Sequence, residues 1–567
     1  MTSYDIVIRG GTVVDGLGGK PFVADVAIKE GRIAAVGKVD GAGAEEIDAN
    51  GKVVTPGFVD VHTHYDGQVT WENRLAPSSG HGVTTVVMGN CGVGFAPAKP
   101  DQHELIVKLM EGVEDIPEVV MVTGVPWNWE TFPDYLDALD KRHADIDFAA
   151  QLPHSPLRIY VMGERGLDQP PTAYDLKEMR RLTMEAMEAG ALGVTTSRSL
   201  THRFRSGKLA PSVPTEEQEL FALAEGLRDA GKGVFQLIPL LTRASKDEFG
   251  LIRRLAETSG RPVSFSLIAD DSGNYRGYIE GLQKAAQDNL PIRGQAMPRP
   301  PGVLYGLDLS MTPFTLNKSF RSVAHLPLAE KVAALRNPEL KARILSEKPE
   351  GPQAFLVEML SRTHPLFVLG DPPNYNPPLS ESIRDRAEAR GMDERELIYD
   401  ELLSQDGHAI LYAPVGILEN IGTELLGKPG VILGLGDGGA HYGMICDGPY
   451  STYLLCNYVR NTKLPGSIPL ERAISMLSRE TAEALELNDR GVLKPGYKAD
   501  INVIDFDKLR LHAPGIAQDL PAGGRRLVQK ADGYEVTIVS GQVVYRHGEA
   551  TGVLPGRLIR GAQARPA

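Results

Sequence analysis

Cysteine is scarce: Cys91, Cys446 and Cys456 are the only three in 567 residues. So sparse and odd a set offers no disulfide framework and fits a reducing compartment. Long apolar runs are missing too. No stretch approaches the roughly 20 residues a membrane span requires, so no membrane partner is expected. The opening MTSYDIVIRG lacks the basic start and apolar centre of a secretory signal, which makes the cytoplasm the expected location. Positive charge is in deficit, with 60 Lys and Arg against 73 Asp and Glu and a formal net charge of −13. A phosphate backbone demands a basic surface, so nucleic acid is excluded as the main partner. What remains is the composition of an ordinary globular enzyme, 42% hydrophobic and 23% charged. Its 61 Gly and 40 Pro suit many tight βα connections better than a long helical bundle. The length exceeds that of one usual core, which predicts a large domain with accessories.

Residues 1–56 alternate short β-like runs with turn signals, as in YDIVIRGG and VADVAIKEGRIAAVGKV. GVLKPGYKADINVIDFD and YEVTIVSGQVVYRHGEA, near the other end, have the same character. Two β-rich ends around a different middle predict a small β-sandwich assembled from residues 1–56 and 486–567. Between them, apolar runs alternate with amphipathic helical stretches, the signature of βα units. Candidate strands at 53–62, 82–91, 148–153, 190–197, 233–239, 262–268, 291–297 and 431–437 are the number that closes a (β/α)8 TIM-type barrel. Residues 57–300 would supply its first seven strands and 431–485 the eighth with the helices that follow. The span 301–430 is too long for one connection and reads as a mainly helical insertion before the last strand.

In such a barrel, function collects at the C-terminal strand ends. The run TPGFVDVHTHYDG ends the first strand in His62 and His64, whose i, i+2 spacing presents two imidazoles to one point. The apolar run before them makes an unligated polar pair costly, which favours a metal. Cys91 closes the second strand among glycines and could add a thiolate. Asp437, in GLGDGGAH after the eighth strand, can bind an ion and carry a proton. His441 follows it closely, placed to orient substrate or steady developing charge. His154, Arg198, His202, Gln236 and Ser266 also fall at strand ends, and Cys446 and Cys456 are expected to pack.

These segments resemble the amidohydrolase superfamily, and within it the N-acyl-D-amino-acid deacylase (D-aminoacylase) branch. The resemblance is carried by IVIRGGTVVDG…ADVAIKEGRIAAVG, GFVDVHTHYDG, GVTTVVMGNCG and RGVLKPGYKADINVIDFD. It implies a (β/α)8 barrel, a zinc-activated water attacking an amide carbon, and a strand-eight aspartate as general acid/base. Carried onto this chain, His62 and His64 match the strand-one metal histidines, Cys91 the metal-binding cysteine and Asp437 the catalytic aspartate. The chain also departs from the branch. Where the branch has histidines after strands five and six, the matching positions read as Gln236 and Leu267, and Ala269 stands where a lysine usually holds the substrate carboxylate. No arginine after Asp437 matches the branch, and strand four carries no lysine suited to a metal bridge.

Zinc catalysis needs about three protein ligands and an open position. His62, His64 and Asp437, with Cys91, therefore predict one Zn2+, although His/Asp sites accept other divalent ions. Arg198, Arg203 and Arg299 are candidates to replace the lost anion clamp, since guanidinium grips carboxylate in a fork. The expected activity is metal-dependent hydrolysis of a C–N amide bond in a small molecule such as an N-acyl D-amino acid, with Asp437 moving the proton and His441 steadying the oxyanion. Two alternatives stand beside it: a lactone, cyclic imide or small peptide as substrate, or a non-catalytic barrel acting as a binding protein. A homo-oligomer is compatible with either.

Overall fold

The computed structural model describes residues 3–240, 245–270, 272–351, 365–415 and 421–567. Six parallel strands lie in one sheet and three in another, and the third barrel strand is divided between them at Gln151. In ring order the strands are Phe58–Asp60, Val83–Met88, Asp147–Ala150 continuing through Leu152–Pro153, Gly193–Ser197, Val234–Ile238, Val263–Ser266, Ile292–Ala296 and Val431–Leu433. All neighbours pair in parallel, for example Val86 with Phe148, Phe235 with Val263 and Gln295 with Ile432. The seam closes just past the strand ends: Asp437 N donates to His62 O at 3.1 Å and His64 N to Gly438 O at 2.8 Å. This is the (β/α)8 barrel.

Its strands are continuous apolar runs because both faces are covered. Val59, Val61, Val87, Ala149, Val234 and Ile432 cluster with Leu485, Leu487 and Ile559, which closes the N-terminal end. The outer layer is made by helices with clear local signals. Ala173–Ala189 is capped by Thr172, whose hydroxyl accepts from Asp175 N, and stops at Gly190 with φ 106°. Glu217–Ala230 ends the same way at Gly231, φ 63°.

Strands from both ends of the chain share a nine-stranded sheet. Val53–Pro56 sits at its centre, parallel to Thr12 and Val13 and antiparallel to Ile501–Ile504. Ile6, Ile8, Val26, Val54, Ile501, Val503 and Ile538 form its core. Hydrogen bonding runs unbroken through the strands on the main path, where the sequence suggested a sandwich. The C-terminal segment also leaves this sheet: the hairpin Gly515–Leu520/Gly524–Val528 reaches the barrel mouth, where Leu527 N donates to Tyr442 O at 2.7 Å.

Between the seventh and eighth strands, a lobe gathers its own apolar cluster around Tyr305, Phe314, Leu335, Ile344 and Leu411. Among its described residues, short helices such as Leu328–Leu335 and Glu394–Leu402 pack with a three-stranded antiparallel sheet. That sheet, Gly302–Tyr305 with Leu411–Pro414 and Phe367–Val368, was not legible as strand pattern. Among the described residues no helix is long and apolar enough to cross a membrane.

Candidate metal centre at the barrel mouth

His62 and His64 leave the first strand with both rings buried and their centroids 5.6 Å apart. Cys91 comes from the turn after the second strand, where Gly89 (φ 83°) and Cys91 itself (φ 60°) are left-handed. A side chain on Gly89 would place Cβ 2.2 Å from Gln151 O, so only glycine lets this turn press onto the third strand. Asn90 locks the turn by donating to Thr63 O and Val87 O, at 3.1 and 2.8 Å. Asp437, from the eighth strand, is also left-handed at φ 49°. Two residues on, Gly439 lets this loop lie on the first strand, since a Cβ there would meet Tyr65 N at 2.7 Å and His64 C at 2.8 Å.

The donor atoms converge. Nε2 of His62 lies 3.3 Å from Cys91 Sγ and 3.5 Å from Asp437 Oδ1. Nε2 of His64 lies 3.5 Å from the same sulfur and 3.6 Å from the same oxygen. The ligand atoms of His62, His64 and Cys91 all fall within 4.8 Å of one another. Asp437 Oδ1 is buried without a hydrogen-bond partner among the described residues. Two imidazoles, a thiol and an unpartnered carboxylate oxygen around one point are a donor set that fits zinc, and could equally take another borderline divalent ion.

The electrostatics favour ligand use at His62 and Asp437 and oppose it at His64 and Cys91. Burial pushes the His62 pKa down to about 4, leaving a neutral ring with a lone pair at neutral pH. Burial also disfavours charge on His64, but Glu114, Cys91 and Asp437 outweigh it and hold its pKa well above 6.5. Desolvation acts to raise the Asp437 pKa, yet the neighbouring His64, His62 and His441 keep it below the usual carboxylate range. Burial raises the Cys91 thiol to about 12.

His441 stands at the rim, its ring centroid 6.3 Å from that of His64 and its Nε2 3.3 Å from Glu114 Oε2. Asp437 and His441 keep 20% and 17% of their side chains exposed, so the centre opens on their side. His202 lies within electrostatic reach of His441, His64 and Asp437, with a buried, unpartnered Nδ1. Gln236 is buried, in register with Thr195 and Ser264, and neither amide atom has a hydrogen-bond partner.

Other candidates are already engaged. His154 meets Thr196 Oγ1 through Nδ1 at 2.8 Å and Glu219 Oε1 through Nε2 at 2.7 Å, fully buried in the barrel wall. Arg198 holds Glu248 through two contacts of 3.2 Å. Arg203 donates to Leu200 O and Gly207 O, both at 2.8 Å. Arg299 pairs with Asp447 at 2.6 Å and stacks 3.8 Å from the Tyr375 ring centroid. Leu267 faces outward, against Gly294 and the helix bearing Leu282. The inward residue at the end of strand six is therefore Ser266, whose hydroxyl is buried and unpartnered.

Two residues the sequence did not single out stand behind the histidines. Gln295 Oε1 meets His62 Nδ1 at 2.8 Å, while its Nε2 donates to Ser264 Oγ at 3.1 Å. Glu114 Oε1 lies 3.5 Å from His64 Nδ1. A signal for Glu114 did exist: it follows Ile106 and Met110 at i+4 steps, an acid on the buried stripe of the helix His103–Glu114.

The amidohydrolase family model matches residues 45–545. An uncharacterised protein of Mycobacterium tuberculosis is 30% identical over 583 residues, covering 97% of this chain and 93% of the relative. D-aminoacylase of Alcaligenes xylosoxydans xylosoxydans is 37% identical over 194 residues, 34% of this chain and 37% of that protein. The solved structure of N-acyl-D-glutamate deacylase from Bordetella bronchiseptica, complexed with zinc and a phosphonate inhibitor, superposes with a TM-score of 0.65 at 22% identity, over 98% of this chain and 99% of that one. At that identity the superposition shows a shared fold. The chain belongs to the amidohydrolase family.

Proposed function

We propose that the protein is a metal-dependent hydrolase that cleaves the C–N bond of a small-molecule amide, with an N-acyl D-amino acid as the first substrate class to try. The observation that carries this reading is the convergence of His62, His64 and Cys91 within 4.8 Å at the C-terminal end of the barrel, faced by the unpartnered Oδ1 of Asp437. One divalent ion, zinc by donor type, would be held by Nε2 of the two histidines, Cys91 Sγ and Asp437 Oδ1. Such an ion supplies a Lewis acid for attack of water on a carbonyl near neutral pH.

The chain's own groups do the rest. Asp437 accepts the proton of the attacking water at its carboxylate and returns it to the leaving nitrogen, so water and amide become acid and amine. His441, neutral because burial lowers its pKa to about 4, offers an N–H to the carbonyl oxygen as it gains charge. His202, Gln236 and Ser266 supply unpartnered polar atoms for the rest of the substrate.

The engagement of Arg198 by Glu248 and of Arg299 by Asp447 favours a second reading. In it the scissile bond belongs to a lactone, a cyclic imide or a small peptide with no carboxylate for those arginines to clamp. A substrate panel spanning these classes, run with and without a chelator and with zinc added back, separates the readings. Chelator-sensitive hydrolysis of N-acyl D-amino acids supports the first and of the other classes the second. No turnover of any class by zinc-loaded protein would leave a binding protein.

A further inference from the structure

Glu114 has an unfavourable address for a residue that only stabilises. It is 1% exposed and ends the helix His103–Glu114, where the helix dipole opposes negative charge. Its Oε2 has no hydrogen-bond partner. A buried carboxylate needs compensation, and the groups at ion-pair distance from it are two imidazoles. Oε1 faces His64 Nδ1 at 3.5 Å and Oε2 faces His441 Nε2 at 3.3 Å, both at ion-pair distance and neither yet a hydrogen bond, since His64 Nδ1 is itself unpartnered among the described residues. The contact with His64 falls on the side of the ring opposite Nε2, the atom turned toward Cys91 and Asp437.

We infer that Glu114 is a positioning residue for the metal centre: it keeps the Nδ1 hydrogen on His64, so that Nε2 presents its lone pair to the ion, while its second oxygen faces His441 at the rim. The inference rests on the metal-centre reading proposed above. The two strand-one histidines are thereby backed unequally. His62 is hydrogen-bonded to the neutral amide of Gln295 at 2.8 Å, whereas His64 faces the Glu114 carboxyl at 3.5 Å, and a carboxylate closing on Nδ1 would make it the more basic donor. The backbone supports the same geometry independently of the side chain, since Glu114 O accepts from His441 N at 2.5 Å. The next residue extends the clamp, with Asp115 Oδ2 accepting from Gly443 N at 3.1 Å and Ser310 Oγ at 2.8 Å. Truncating Glu114 therefore removes the charge behind His64 and leaves the loop tethered.

The test is zinc affinity, measured by competition with a chromophoric chelator on the purified full chain. Removing a carboxylate behind a metal-binding histidine weakens affinity by about tenfold to a hundredfold. Glu114→Ala should show that loss and Glu114→Gln a smaller one, because an amide oxygen can take the same place opposite Nδ1. Asp115→Ala, which loosens the loop without touching His64, should bind zinc like the parent. In 15N spectra of the zinc-loaded parent, His64 should carry its hydrogen on Nδ1. Parent-like affinity in Glu114→Ala overturns the inference while the metal centre stands, whereas an Nε2-bound hydrogen on His64 takes that residue out of the ligand set and overturns both. Losses that follow the folded fraction equally in Glu114→Ala and Asp115→Ala overturn it as well, by showing a structural role. A parent that binds no zinc removes the metal-centre reading itself, and this inference with it.

Discussion

Oδ1 of Asp437 stands 3.5 Å from Nε2 of His62, a carboxylate from the eighth strand facing an imidazole from the first across the closing seam of the barrel. The same two residues are tied by their backbones, Asp437 N to His62 O at 3.1 Å. The proposed proton carrier and ligand pair are thus fixed by the hydrogen bonds that close the fold, which is what a preorganised site requires.

Asp437→Asn removes the proton acceptor and keeps the shape. Positioned acid–base groups contribute about a hundredfold to ten-thousandfold in rate, so kcat should fall by that order while zinc content stays near parental. Kinetics paired with elemental analysis check both halves. Parental turnover would remove Asp437 from proton transfer.

Gly439 carries a conformational prediction. At φ 91°, with a Cβ that would meet Tyr65 N at 2.7 Å, alanine there must displace either the Asp437 loop or the strand-one turn. A strained position of this kind costs about 1–3 kcal/mol, so Gly439→Ala should lower the unfolding midpoint. It should lower kcat/KM further than Gly438→Ala does, since Gly439 is the position that rests on His64.

Arg299 separates clamp from pillar. Its pair with Asp447 is buried on both sides, and removing one partner of such a pair costs about 3–5 kcal/mol. Arg299→Leu should therefore destabilise the protein. If stability held and KM rose instead, Arg299 would be a substrate clamp.

Acid stability should report Glu219. Burial acts to raise its pKa, but His154 and Arg158 more than offset that and hold it below the ordinary 4.5. As pH falls, the unfolded chain takes up this proton first. The stabilisation is complete above pH 4.5 and is lost as pH falls through the lower folded value. Thermal midpoints recorded from pH 7 down to acid should drop less steeply below 4.5 in Glu219→Gln than in the parent.

Much of the barrel was legible because its strands are uninterrupted apolar runs at βα spacing, and periodicity reports that directly. His62, His64, Cys91 and Asp437 were visible as residue types at strand ends. The third strand's passage between two sheets at Gln151 left no mark, since period-2 pattern says nothing of where hydrogen bonds lapse. His154 and Arg299 illustrate the harder limit. A strand-end position is identical for a side chain turned to solvent and for one tied to Glu219 or Asp447, and those partners lie 65 and 148 residues away. Ser266 was visible at the end of strand six, and only the match of Leu267 to the branch's histidine was off, by one step of strand alternation, which exchanges an inward for an outward side chain. Gln295 and Glu114 were passed over because an amide or acid behind a histidine has no motif of its own.

The most direct test is metal content. Protein purified without added metal and without chelator should carry about one equivalent of zinc or another divalent transition metal per chain, as three or four protein ligands around an open position imply. His62→Ala/His64→Ala double replacement should empty it. A folded parent that holds no stoichiometric metal and takes none up from zinc solution would contradict the account.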